Sequence, residues 1–401
     1  MLSPEKPAKK SMTKEGKGVK SSPAKNADSP RWQKRRPAAG LLCLLPMMAL
    51  SAAVLAAPGV PSGWEGWLSL LAVWGIFNFG FARILSTGKV EKWRSFFFIG
   101  VSFSFIFYFL SFVREYAALF ASQMEFRSGD PVCHLVLPFL VVPAILSGEI
   151  FYPGRMTGSF GSVSFMFLAW LVAFLTLGRA FCGWGCFFGG FDEAFSRLRR
   201  KPLIKKIPRI LLDFPFVILF FFIILSAAYL WPVYCDVLCP FKAVFEPGRL
   251  FSGDFFLLVL SVILFVLLAV VFPLLTGKRC LCSFFCHLGA VQSLGSRLVP
   301  FYVEIDSRKC KNCEKCFDNC PVMAIEGGEV KRVKEDICVR CGRCVDNCPS
   351  GAISFRLKGV PLGKKSETPK ILFLYAAFTF MVAFGGRICA GALEKMLIWL
   401  F

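Results

Sequence analysis

Residues 310–349 read CKNCEKCFDNCPVMAIEGGEVKRVKEDICVRCGRCVDNCP, and the cysteine spacing in this stretch decides what the chain is built around. Cys310, Cys313, Cys316 and Cys320 are followed by Pro321, and Cys338, Cys341, Cys344 and Cys348 by Pro349. Each set is a C-x2-C-x2-C-x3-C-P run, and the second follows the first at constant offset, so the segment is an internal duplication. Three thiolates in one tight loop can wrap three corners of an iron–sulfur cube. The fourth corner falls to the remote cysteine of the other half. The expected sets are Cys310, Cys313, Cys316 and Cys348 on one [4Fe-4S] cluster, and Cys338, Cys341, Cys344 and Cys320 on the other. Val322, Ile325, Val333 and Ile353 are expected to shield them from water. Structural zinc fits less well, because it wants two separated C-x2-C pairs around one ion.

Around this segment the chain is apolar. Of its 401 residues 56% are hydrophobic and 46 are phenylalanine, with a mean hydropathy of +0.60. Apolar runs at 38–57, 64–85, 95–119, 160–178, 210–231, 254–276 and 371–391 approach or exceed the ~20 residues a bilayer span needs. The net charge of +21 sits in the N-terminal tail and in loops between these runs. That distribution marks cytoplasmic loops and argues against a nucleic-acid partner. A basic tail on the inside puts the Lys89, Lys92 and Arg94 loop inside, and the Arg179–Arg209 loop with it. Spans 95–119 and 160–178 connect those two loops only if the apolar stretch 132–150, interrupted by Pro138, Pro143 and Gly148, does not cross.

The expected fold is therefore an α-helical polytopic membrane protein of about seven spans plus a re-entrant or interfacial segment, carrying an α+β 2[4Fe-4S] ferredoxin-like domain. Its parts are a disordered basic cytoplasmic tail (1–37), N-terminal spans (38–130) and a membrane core (131–299). The ferredoxin domain (300–360) and a C-terminal span (361–401) follow. The expected location is the inner (cytoplasmic) membrane, with the N-terminus and ferredoxin domain in the cytoplasm.

Two further cysteine pairs stand at span ends, Cys182 and Cys186 in GRAFCGWGCFFGG and Cys282 and Cys286 in GKRCLCSFFCHLGA. On a helix, positions i and i+4 share a face. Each pair can thus present two thiolates at the cytoplasmic mouth of its span, and together they suffice for a third [4Fe-4S] cluster. Gly183 and Gly185 would allow close backbone approach. Cys280 has no assigned role.

These motifs resemble the NapH-type membrane polyferredoxin family, whose relatives include the nitrous-oxide reductase regulator and the cbb3 oxidase assembly ferredoxin. Arg179 to Cys186 match its GRxxCGWxCP motif and Cys282 to Ala290 its CPLGA motif, with Phe187 and His287 standing where the family has proline. The resemblance covers about 160–355. It implies electron transfer between cytoplasmic-side clusters and a membrane partner, a quinone or a respiratory reductase. Within the same family lies the alternative of an assembly, maturation or metal-reduction factor for a respiratory metalloenzyme.

A third pair, Cys235 and Cys239, precedes Pro240 and is expected on the outer side, where Cys133 and His134 could lie near it. Three readings are open for this group: a metal or cluster site, a redox-active disulfide in an unwound turn, or structural residues. The chain has 2 histidines, too few for a pair of bis-His haems. It carries no dinucleotide fingerprint, phosphate loop or catalytic triad. An electron-transfer subunit is therefore expected rather than a self-contained enzyme. A redox-sensing regulator is a third possibility that no residue specifies.

Overall fold

Apolar segments of this length satisfy their own backbone only as helices, and helices make up most of the molecule. The computed structural model describes residues 37–57, 59–117, 135–148, 163–199, 201–204, 206–241, 255–327, 331–360 and 367–400. The readings made above for the basic tail, for Cys133 and for His134 lie outside the described residues.

The N-terminal half opens with α1 (Pro37–Ala56), α2 (Trp64–Thr87) and α3 (Val90–Ala117). α2 stops at Gly88, which is left-handed (φ 70°) and donates its N–H to the Ile84 carbonyl. This is a glycine C-cap, and it turns the chain straight into α3. α4 (Leu137–Ser147) has 11 residues and so spans ~16 Å, about half of a ~30 Å hydrocarbon core. α5 (Val163–Thr176) then breaks: the axes of Phe167–Thr176 and Gly178–Trp184 differ by 113°. Short α6 (Phe181–Trp184) and α7 (Phe187–Leu198) follow the break, then α8 (Phe214–Tyr229) and α9 (Val233–Val237). A helix starting at Phe255 passes through a π-helical stretch, Val266–Val271, and ends at Thr276.

Among the described residues four helices are long and apolar enough to cross a membrane: Trp64–Thr87, Arg209–Tyr229, Phe256–Thr276 and Thr368–Leu400. A fifth joins them if the bent pair is one span. The last helix extends well past the expected 371–391. Its 33 residues make it ~50 Å long, and its charged end finds partners in the N-terminal half. Arg387 donates to the Gly59 carbonyl, and Gly66 lies against Glu394.

The segment between the last two spans forms two small antiparallel sheets. β1 (Phe301–Ile305) pairs with β4 (Ile353–Leu357), with Phe301 opposite Leu357 and Ile305 opposite Ile353. β2 (Ile325–Glu326) pairs with β3 (Arg332–Val333). This unit sits on one end of the helical bundle. The Glu91 N–H donates to Asp346 (2.7 Å), the Arg279 N–H to the Pro321 carbonyl (2.8 Å), and Arg209 to the Met323 carbonyl (3.2 Å). Phe373 of the C-terminal helix contacts Phe301, Phe355 and Trp184, tying sheet to bundle. Glu91, Arg197 and Arg209 therefore share the end occupied by the cysteine-rich domain.

Candidate functional site

The two halves of the cysteine-rich domain repeat in backbone as well as in sequence. Left-handed residues occur at Asn312 and Arg340 (φ 49° and 48°), Glu314 and Gly342 (59° and 81°), and Met323 and Gly351 (57° and 61°). These are equivalent positions 28 residues apart. Four of the six are not glycine, so the loops hold an unfavourable conformation in the same places twice. Each half also turns a backbone N–H onto its last cysteine: Ala324 onto Cys320 Sγ and Ala352 onto Cys348 Sγ, both at 3.3 Å. The β-ladder crosses between the halves, with the Asp306 N–H on the Ala352 carbonyl and the Lys334 N–H on the Ala324 carbonyl, both 2.8 Å.

The cysteines fall into two groups. Cys310, Cys313, Cys316 and Cys348 line one cleft with Ile305 and Ile353. Cys320 is absent from that cleft and lies instead within electrostatic range of Cys338, Cys341 and Cys344. Burial pushes the Cys338 thiol up to about 12, and raises Cys341 and Cys344 as well. A thiol in this state ligates as the thiolate, its proton released as a metal cation takes its place on sulfur. Val322, Ile325 and Ile353 are buried beside these groups, and Val333 is partly so. Among the described residues no three His, Cys, Asp or Glu side chains converge on a point where one ion could bind. The four thiolates of a cube bind four different irons, so they surround a volume and need not converge.

The second set backs directly onto the helical bundle. Cys182 shares a packed core with Cys320, Cys341 and Val339. A Cβ on Gly183 would come within 2.7 Å of the Val339 carbonyl, so only glycine fits there without a shift. Trp184 Nε1 donates to the Arg340 carbonyl (3.2 Å), Arg340 to the Leu177 carbonyl (3.0 Å), and Arg94 to the Gly183 carbonyl (2.6 Å). Gly183 thus faces the cysteine-rich domain, and Gly185 faces the Phe181 ring. Neither opens onto the space between the cysteine pairs.

That space lies on the other side of Cys182. Cys182, Cys186, Cys282 and Cys286 line it together, with Leu135, Phe188, Tyr234, Pro240, Phe241, Leu281, Leu288 and Gly289. The two motifs that supply the cysteines are equivalent over more than the thiols. Arg179, Cys182, Cys186 and Gly189 recur 100 residues later as Arg279, Cys282, Cys286 and Gly289. In each, the N–H of the second cysteine donates to the carbonyl five residues back instead of four, Cys186 to Phe181 (3.1 Å) and Cys286 to Leu281 (2.9 Å). Each then caps the next helix with extended backbone, at ψ 111° and 112°. The cysteines therefore sit on wide, unwound turns rather than on one face of a regular helix. The i, i+4 expectation is corrected accordingly, and turns of this π type cluster at functional sites.

The arginines are exchanged between the motifs. Arg279 donates to the carbonyls of Cys182 (2.6 Å) and Gly189 (2.9 Å). Arg179 donates to the carbonyls of Cys282 (3.2 Å) and Gly289 (3.3 Å). A Cβ at Gly189 would stand 2.3 Å from the Arg279 guanidinium, and one at Gly289 would meet the Cys282 carbonyl at 3.0 Å. Arginine reach thus explains Gly189, whereas Gly289 is crowded by the Cys282 carbonyl. This pattern was readable as a shared R-x2-C-x3-C-x2-G spacing, but counting cysteines alone passes over it.

The third pair departs from its expected place. After Tyr229 the chain does not stay at the far end of α8. It turns back, so that Tyr234 packs on Phe222 of α8 (5.2 Å), on Phe139 (5.2 Å) and on His287 (4.2 Å). Cys239 is buried, and Tyr234, Pro240 and Phe241 form part of the wall around the four cysteines. Apolar packing of three aromatic rings draws the segment inward. Cys235 and Cys239 are chain neighbours of Tyr234 and Pro240 in that wall.

Comparison with known proteins agrees with this division. A 4Fe-4S binding domain profile matches three times, over residues 160–206, 212–255 and 258–303. Each match contains one C-x3-C pair. A 4Fe-4S dicluster domain profile matches residues 296–353. YccM of Escherichia coli K12, named provisionally as an electron transport protein, is 28% identical over 42% of this chain and 48% of its own length. The chain therefore matches about half of that relative. Two uncharacterized proteins of Methanocaldococcus jannaschii cover more of their own length. MJ0750 is 31% identical over 42% of this chain and 68% of its own, and MJ0749 is 30% identical over 47% and 68%. No solved structure matches the chain.

Proposed function

The chain belongs to the family of 4Fe-4S-binding proteins that includes MJ0750 and MJ0749, and we propose that it is a membrane-bound electron relay with three [4Fe-4S] sites in line. Iron–sulfur electron transfer is the reading its domain matches and its E. coli relative support. The first site is Cys310, Cys313, Cys316 and Cys348, and the second is Cys338, Cys341, Cys344 and Cys320. The third is Cys182, Cys186, Cys282 and Cys286. Bound clusters supply carriers of single electrons. The chain's own residues fix their order and keep water away. Cys313 is exposed and marks the end where a soluble partner can approach. The second set is buried against the bundle, and the third is enclosed by apolar side chains.

The observation that carries this reading is the position of Cys182. It packs with Cys320 and Cys341 on one side and faces Cys186, Cys282 and Cys286 on the other. Purified anaerobically, the full chain is expected to hold about twelve irons and an equal amount of acid-labile sulfide, four per site. Low-temperature EPR of the reduced sample is expected to need three signals. About eight irons and two signals would leave the span-end cysteines as packing or thiol groups and end the three-site reading.

The same proposal includes the topology. α1, α2, α3, the bent α5, α8, Phe255–Thr276 and the C-terminal helix make seven crossings, and α4 makes none. Basic residues share the end that bears the cysteine-rich domain, which supports a cytoplasmic side for that end by the charge rule. The domain division is 1–37, 38–130, 131–299, 300–360 and 361–401. The NapH-type resemblance adds a quinone or respiratory reductase as the membrane-side partner.

A second reading has one observation in its favour: Cys235 and Cys239 adjoin in the chain Tyr234 and Pro240, which line the same space. A factor that hands electrons or metal to a maturing metalloenzyme would use such a pair. Deleting the gene separates the two. A relay leaves its partner enzyme metallated but short of electrons, and a maturation factor leaves it without metal.

A further inference from the structure

Arg179 and Arg279 are both buried, at 2% and 0% exposure, yet their surroundings balance charge very differently. Arg279 lies 3.6 Å from Glu193, a carboxylate already shared with Arg94 (2.5 Å) and Arg197 (2.6 Å). Arg179 donates to the carbonyls of Gly289, Cys282 and Asp336 and to the Ser293 hydroxyl. Among the described residues no carboxylate pairs with it. A guanidinium keeps its charge at any working pH, and a buried charge without a counter-ion is strongly destabilising. An anion is therefore missing from the immediate neighbourhood of Arg179. The space between the two arginines is lined by four cysteines, and a cube held by four thiolates is a net anion that gains one more negative charge on reduction.

We propose that Arg179 and Arg279 are the counter-charges of the cluster assigned to Cys182, Cys186, Cys282 and Cys286, and that they hold its reduction potential up. The proposal rests on the three-site reading. Arg179 acts through a charge nothing else offsets. Arg279 adds a direct contact, since its Nη2 lies 3.4 Å from Cys282 Sγ. A fixed positive charge beside a redox centre favours the form with more negative charge. In a water-free site that preference is poorly screened. The exchange of arginines between motifs puts one cation on each side of the cluster, which neither motif could do alone. Arg94 and Arg197 are equally cationic but are occupied by Glu193 and Glu91.

The test is an EPR-monitored redox titration of the full chain in detergent, with iron counted on every sample. The variants are Arg179→Gln, Arg179→Lys, Arg279→Gln and Arg279→Lys. At about twelve irons, each Gln variant is expected to lower the potential of one signal and leave the other two unmoved. The expected change is at least tenfold in the reduced-to-oxidised ratio at fixed potential, equivalent to ~59 mV for one electron. Lys keeps the charge without the planar fork and is expected to recover most of the shift. If Gln variants retain the iron and every signal titrates as in the wild type, the inference is overturned. It is equally overturned if Lys behaves as Gln does, or if every variant drops to about eight irons, because either result assigns the arginines to scaffolding. Wild-type protein with about eight irons would sink the three-site reading itself.

Discussion

In the cysteine-rich domain two motifs lie 28 residues apart and the cleft of one takes in the last cysteine of the other; in the membrane core two motifs lie 100 residues apart and trade an arginine. The difference follows from solvent. The soluble loops can leave carbonyls facing water, so three thiols from one tight loop suffice and only the fourth ligand must cross over. In the bundle every carbonyl on an unwound turn needs a donor. Each turn offers only two thiols and leaves carbonyls bare, and the partner motif's arginine fills them. Exchange in the first region completes a ligand set. In the second it completes hydrogen bonding, and in doing so it carries charge inward.

The largest expected effect separates the regions outright. Cys186→Ser is expected to lower iron from about twelve to about eight per chain while the two ferredoxin EPR signals persist. Cys344→Ser is expected to remove a ferredoxin signal and leave the bundle site loaded. If Cys186→Ser also abolishes the ferredoxin signals, the regions are not independent and the comparison breaks.

Next comes the buried carboxylate. Glu193 faces Arg94, Arg197 and Arg279 at 1% exposure. Removing one partner of a buried charge network costs about 3–5 kcal/mol, so Glu193→Gln is expected to lower the unfolding midpoint sharply in a detergent denaturation series. A loss below ~1 kcal/mol would mean the arginines are balanced by something else.

The two glycines grade the exchange itself. A methyl at Gly189 meets the Arg279 guanidinium at 2.3 Å and the Cys182 carbonyl at 2.4 Å, but at Gly289 the nearest contact is 3.0 Å. Overpacking of the first kind costs about 1–3 kcal/mol. Gly189→Ala is thus expected to destabilise more than Gly289→Ala in the same series, and equal effects would argue against arginine approach as the reason for Gly189.

How much of this was legible beforehand differs between the regions for a physical reason. Ligand order in the cysteine-rich domain is set locally, so spacing alone proposes the crossed sets Cys310, Cys313, Cys316 with Cys348 and Cys338, Cys341, Cys344 with Cys320; the first four share a cleft, and Cys320 lies near the other three. The convergence of Cys182 and Cys186 with Cys282 and Cys286 depends on the 113° break after Thr176 and on π turns, which hydropathy does not report. The inward return of Tyr234 was hidden because loop charge reads only the side of a membrane, not whether a loop dips back. The C-terminal helix runs past 391 because Glu394, which with Lys395 reads as a stop, is received at the start of α2 beside Gly66.

The smallest effect belongs on the soluble side and gives the comparison its lower bound. Glu304 and Arg356 face each other across β1 and β4 at 3.0 Å, with 30% and 20% of their side chains exposed. Geometrically the pair resembles those around Glu193, but water screens it and both side chains give up rotamer freedom to form it. Such pairs contribute ~0.2–1 kcal/mol, so Glu304→Gln is expected to move the unfolding midpoint little and to lose even that in high salt. Glu193→Gln should keep its penalty in the same salt, because ions do not reach it. If the two substitutions respond to salt alike, the bundle site is wet. The arginines would then be solvated rather than waiting for an anion, and the contrast drawn between the two repeats would fail at its physical root.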